Sequence, residues 1–112
     1  MSLKEGLLKK KMSVLTGYKD FWFILTNKGV LQYYTEKPTS KDKPPKGQMT
    51  LLLSDVKLKD DGISFHVLSA NSQKYFLRAA NPDERVKWVQ VLEHVRNDLY
   101  SRVFRNQVVP PP

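Results

Sequence analysis

Lysine is the residue type best placed to do chemistry in this chain. Lys9, Lys10 and Lys11 form an unbroken run, Lys19 follows after a short apolar segment, and Lys41, Lys43 and Lys46 recur in a polar stretch. Ammonium groups that converge on one rim bind anions, and each charge near an anionic leaflet adds about 1 kcal/mol. Between the first two clusters lie Met12, Val14, Leu15 and Tyr18. Apolar side chains exposed beside lysines are what a membrane-penetrating wedge requires, unless they fold back onto the protein. The plainer reading of Lys9, Lys10 and Lys11 is a solvated strand edge, where lysine discourages aggregation.

The wider charge balance points the same way. Nineteen basic residues against eleven acidic ones give a net charge of +8. Residues 1–50 hold ten lysines and four acids, whereas residues 51–112 hold nine basic and seven acidic residues. A localised lysine excess implies an anionic partner: a lipid headgroup, nucleic acid or an acidic peptide.

Other chemistries find no support. The absence of cysteine excludes disulfide scaffolds, thiolate zinc sites and thiol catalysis, and favours an intracellular setting. His66 and His94 have no acid at ligand spacing, so both read as structural or solvent-facing, and no metal is expected. Asp60-Asp61-Gly62 is a turn without further ligands. No phosphate loop or nucleophile elbow is present, so neither an enzyme nor a cofactor is expected. The longest apolar run, Phe21 to Leu25, falls far short of a membrane span. The start carries no signal peptide, and the Val109-Pro110-Pro111-Pro112 end reads as an excerpt from a longer chain.

The elements that must position the lysines are mostly strands. Leu7 to Met12 reads as a strand, and Tyr18 to Thr26 as a second, aromatic one. Asn27-Lys28-Gly29 turns the chain into a third, Val30 to Thr35. A loop from Glu36 to Lys46 precedes strands at Gln48–Leu53 and Asp55–Lys59, and Ile63–Leu68 then pairs with Lys74–Ala79. Asn81-Pro82-Asp83-Glu84 starts a helix: Asn81 caps, Pro82 fits the first turn and Glu84 closes a capping box. Trp88, Leu92, Val95 and Leu99, widened by Val91, form one apolar face ending near Val103. Seven short antiparallel strands curl into two packed, near-orthogonal sheets or a partly open barrel, and the Trp88 helix caps it. The expected organisation is one mainly β domain over residues 1–105, with a tail or linker at 106–112.

Gly6-Leu7-Leu8, Lys10, Lys19-x-x-Trp22-Phe23-Ile24-Leu25, Leu31-x-Tyr33-Tyr34, Gly47, Tyr75-x-Leu77 and the helical Trp88 together resemble a pleckstrin-homology domain over roughly residues 4–100. The stretch from Lys10 to Phe23 and the helix start Asp83-Glu84-Arg85 look most like the Golgi-directed branch of oxysterol-binding-protein-related, ceramide-transfer and four-phosphate-adaptor proteins. The resemblance implies a phosphate pocket at the open end of the barrel. Lys10 and Lys19 match the first two basic positions of the family's headgroup motif, and Lys46 a position often basic in that branch. The third motif position, normally arginine, falls on Phe21. The leading expectation is therefore a membrane-targeting module for anionic phospholipids, with Lys10, Lys19 and the Lys41–Lys46 loop on a phosphoinositide. That ligand is weakly held and monophosphorylated, as in phosphatidylinositol 4-phosphate, and the module sits on the cytoplasmic side of the Golgi or plasma membrane. The alternative is a protein-interaction module with no specific lipid pocket, because an aromatic at Phe21 would leave an apolar mouth. Nucleic-acid binding is disfavoured: the aromatic strand motifs of RNA readers are missing, and one of Tyr33 and Tyr34 must face the core.

Overall fold

β1 (Ser2–Ser13) and β2 (Gly17–Thr26) form a long antiparallel hairpin in the computed structural model, which describes residues 2–105. The tail expected at 106–112 lies outside the described residues. β1 begins five residues before the apolar pattern does, because polar contacts hold its start. The Trp22 indole N–H donates to Glu5 Oε1 at 3.1 Å, and the Ser2 hydroxyl donates to Glu5 Oε2 at 2.7 Å. Alternation along β2 sends Phe21, Phe23 and Leu25 inward. At the Asn27-Lys28-Gly29 turn the Gly29 φ is 79°, and a Cβ there would lie 2.3 Å from Leu99 Cδ1, so only glycine fits.

β3 (Val30–Tyr34), β4 (Gly47–Thr50), β5 (Asp55–Leu58), β6 (Ser64–Leu68) and β7 (Lys74–Arg78) complete one antiparallel sheet in the order β4-β3-β2-β1-β7-β6-β5. The two expected layers are thus hydrogen-bonded into a single curled sheet, joined at Lys9↔Arg78 and Lys10↔Leu77. β4 stops at Thr50 instead of Leu53. Ser54 N–H closes onto the Leu51 carbonyl at 3.0 Å, and Leu53 takes a φ of 59°, which no strand accommodates. Tyr33 faces the core as one of the tyrosine pair must, but Tyr34 is also buried, on the outer face beside Pro38 of the β3–β4 loop.

α1 (Pro82–Phe104) starts as its sequence dictates, with Asn81 Oδ1 accepting the Glu84 N–H at 2.8 Å. The Glu84 carboxylate does not complete the capping box; it lies 3.9 Å from both Lys4 and Lys87. Trp88, Leu92 and Val95 are buried as the stripe requires, joined by Val89, while Leu99 and Val91 are partly covered. Trp88 is 2% exposed and sits against Gly6 of β1. Leu99 sits against Gly29, so α1 plugs the end of the barrel where the β2–β3 turn lies. β1 runs away from that end. Its loop to β2, the β3–β4 loop and the β6–β7 turn therefore ring the opposite, uncovered end.

Candidate functional site

The uncovered end is a mouth with an aromatic floor. Lys10 points inward from β1, on the face that buries Leu8, and Lys19 is its direct cross-strand partner. The Lys10 ammonium lies 4.9 Å from the Tyr33 ring and 5.1 Å from the Tyr75 ring. Lys46 is held by its own N–H, which donates to the Tyr33 carbonyl at 2.8 Å, and its ammonium lies 5.9 Å from the Phe21 ring. Phe21 is only 3% exposed and meets Tyr33 edge-on at 5.2 Å. The ring therefore lies beneath the rim and does not fill the mouth, and the expected apolar opening is absent. Gln73 closes one side: its amide donates to the Gln48 carbonyl and to the Tyr75 hydroxyl, each at 3.4 Å.

The electrostatics of the mouth are one-sided. Among the described residues Lys10, Lys19 and Lys46 make no ion pair. Burial, and then the neighbouring Lys46 charge, hold the Lys10 ammonium below its ordinary pKa. Burial raises the Tyr33 phenol, and burial followed by Tyr33 raises Tyr75 further, so both keep their O–H as donors. Like charges opposite each other in a sheet cost stability. The Lys10–Lys19 pair is such a case, and an anion between them would relieve it.

The other lysines singled out from the sequence do not join this group. Lys9 and Lys11 alternate to the outer face, and Lys9 pairs with Asp20 at 3.1 Å. Lys43 is drawn to Glu36 at 3.9 Å. Lys41 lines a separate hollow of about 480 Å³ on the outer face, with Glu5, Gln32 and Tyr34. Of the apolar loop residues, Val14 and Leu15 are 90% and 97% exposed at the hairpin tip, and Met12 is 37% exposed below them. Tyr18 is not at the tip: its ring is half-buried on the outer face, 3.9 Å from the Arg78 guanidinium carbon. The sequence marked none of Tyr33, Tyr75, Gln73 and Lys74 as a site residue. Lys74 belongs to a cleft of about 320 Å³ beside the mouth, shared with Lys10, Lys11, Met12, Ser13 and Phe76. Among the described residues no cluster of potential metal ligands and no membrane-length apolar helix occurs.

A helix-plugged, seven-stranded antiparallel barrel with a basic mouth defines a class of small, mainly β domain. The PH domain family model matches residues 2–97, and the chain belongs to that family. Human oxysterol-binding protein-related protein 9 is 31% identical over 112 residues, covering 97% of this chain and 15% of that protein. Human oxysterol-binding protein-related protein 10 is 36% identical over 90 residues, covering 79% of this chain and 12% of that protein. The chain thus spans a small fraction of these curated relatives. The solution structure of the PH domain of human oxysterol-binding protein-related protein 11 superposes with a TM-score of 0.83 at 27% identity, covering 97% of this chain and 92% of that one. The C-terminal PH domain of pleckstrin, in complex with D-myo-Ins(1,2,3,5,6)P5, superposes with a TM-score of 0.72 at 26% identity, covering 86% and 96%. The resemblance to the oxysterol-binding-protein-related group is borne out. Domains of this family are non-catalytic modules for membrane, phosphoinositide or protein interaction.

Proposed function

We propose that this domain recruits its parent protein to a membrane by binding a phosphoinositide headgroup in the mouth. Lys10, Lys19 and Lys46 hold the phosphates, while Val14, Leu15 and Met12 enter the leaflet beside them. The observation that carries this reading is the Lys10 and Lys46 ammonium groups over a closed aromatic floor, with Lys19 across the hairpin from Lys10 and none of the three ion-paired among the described residues. The pleckstrin domain with its bound inositol pentakisphosphate supports the class of ligand.

The headgroup is monophosphorylated, as in phosphatidylinositol 4-phosphate. A phosphomonoester carries roughly −1.5 to −2 at neutral pH, and the phosphodiester adds one more charge. Three ammonium groups balance that sum, whereas a more highly phosphorylated ring would find no guanidinium at Phe21. On this reading the parent protein is cytoplasmic and peripheral, at the Golgi or plasma membrane. Sedimentation with phosphatidylcholine vesicles, with and without phosphatidylinositol 4-phosphate, tests it. The wild-type domain pellets only with the phosphoinositide, and Lys10→Gln with Lys46→Gln abolishes pelleting. Equal pelleting of wild type and double variant overturns the site.

A further inference from the structure

Ser13 ends β1 at the exposed hairpin tip. Lys9-Lys10-Lys11-Met12 precede it. Cations two, three and four places before a serine match the acidic subsites of basic-directed protein kinases, which discriminate substrates by charge pattern. The Ser13 hydroxyl makes only local contacts, 2.7 Å from Thr16 Oγ1 and accepting the Thr16 N–H at 3.0 Å. Pairing with β2 is already irregular here, with a register shift between Lys11 and Ser13, so the tip can leave the sheet at small cost.

Ser13 lines the 320 Å³ cleft together with Lys10, Lys11 and Lys74. None of these three lysines makes an ion pair among the described residues.

We infer that Ser13 is a phosphoacceptor and that the cleft between Lys11 and Lys74 is the seat of its phosphate. In the transfer the Ser13 Oγ bonds to the γ-phosphorus of ATP and the bond to the ADP oxygen breaks. The hydroxyl proton passes to the kinase's base. The product carries a dianion beside Lys11 and Lys74, which share the outer face of the sheet at this cleft. Resting on the headgroup reading, the consequence is a switch. The phosphate sets like charge against an anionic leaflet, at the loop that must enter it.

Three readouts on the folded chain test this. Incubation with ATP and the catalytic subunit of cAMP-dependent protein kinase places phosphate on Ser13, and Ser13→Ala takes up none there; no phosphate on Ser13 overturns the acceptor. In a ³¹P titration the phosphoserine second ionisation falls below its usual value of about 6 and returns toward it in Lys11→Gln/Lys74→Gln. A value that stays near 6 in the unsubstituted chain overturns the seat. Phosphorylation weakens partition onto phosphatidylinositol 4-phosphate vesicles by roughly 10- to 30-fold, and unchanged partition overturns the switch. Were the unmodified chain itself not to bind those vesicles, the headgroup reading would fall, while phosphate incorporation and the ³¹P titration would still decide the acceptor and its seat.

Discussion

Replacing Phe21 separates two roles that the mouth assigns to different residues. The ring is 3% exposed, edge-on to Tyr33 at 5.2 Å and 5.9 Å beneath the Lys46 ammonium. Truncation of a buried phenyl ring costs about 3–5 kcal/mol, most of it lost contact and a residual cavity. The aromatic pair accounts for about 0.5–1.5 kcal/mol, and the exposed cation–π contact for about 0.5 kcal/mol. Packing therefore dominates. Phe21→Ala should remove about 3–5 kcal/mol, Phe21→Leu about 1–1.5 kcal/mol, and Lys46→Gln about 0.5 kcal/mol. A domain of this size holds only about 5–15 kcal/mol in total, so urea denaturation followed by tryptophan fluorescence resolves all three. Phe21→Leu should bind vesicles nearly as wild type, since the ring is floor and touches no phosphate. A loss below about 1 kcal/mol in Phe21→Ala would refute the buried floor. So would a Lys46→Gln variant as unstable as Phe21→Ala.

Other expectations follow from the same contacts. Leu15→Asp leaves the urea midpoint unchanged, because the side chain is 97% exposed, but lowers vesicle partition about tenfold or more by removing a side chain worth about 1.5–3 kcal/mol when buried. Gly47→Ala places a Cβ 2.6 Å from Tyr33 Cε1; it should cost about 1–3 kcal/mol and weaken headgroup binding by pushing Tyr33 from beneath Lys10. The Asp61 carboxylate accepts the Ser64 hydroxyl and the Ser64 and Ile63 N–H groups, which lower its pKa to about 2. Its folded pKa lies below its unfolded one, so its contribution is complete above the ordinary carboxylate range of about 4 and fades as pH falls toward the folded value. The melting-temperature difference between wild type and Asp61→Asn should therefore shrink on acidification through that window; a difference constant with pH would remove the assignment.

The strand pattern was legible because period-two alternation is strong in β2, where Phe21, Phe23 and Leu25 face in, and because Asn81, Pro82 and Trp88 mark a helix locally. Where contacts are long-range, sequence spacing failed. Glu84 looks toward Asn81 in sequence but finds Lys4 in space. Tyr18 reads as part of the loop tip, yet the Arg78 guanidinium stacks on it from a strand sixty residues on. Within the site, Lys10 and Lys19 carried their own signal, facing each other across the hairpin. The separation of Lys9 and Lys11 from Lys10 was available from alternation with Leu8, but the lysine run obscured it. The aromatic floor had no local signature: Tyr33 and Tyr75 meet at 5.5 Å only because the sheet curls β3 toward β7. Nor could spacing reveal that Glu36 draws Lys43 aside while Lys46 stays at the rim.

On the proposed function, three particular ammonium groups receive the phosphates. NMR titration of the lysine side-chain ammonium resonances with soluble glycerophosphoinositol 4-phosphate tests it most directly. Lys10, Lys19 and Lys46 should shift together along one binding curve, with the ring signals of Tyr33 and Tyr75 following. Shifts confined to Lys9, Lys41 and Lys43, or a set of lysines responding equally to chloride, would contradict it.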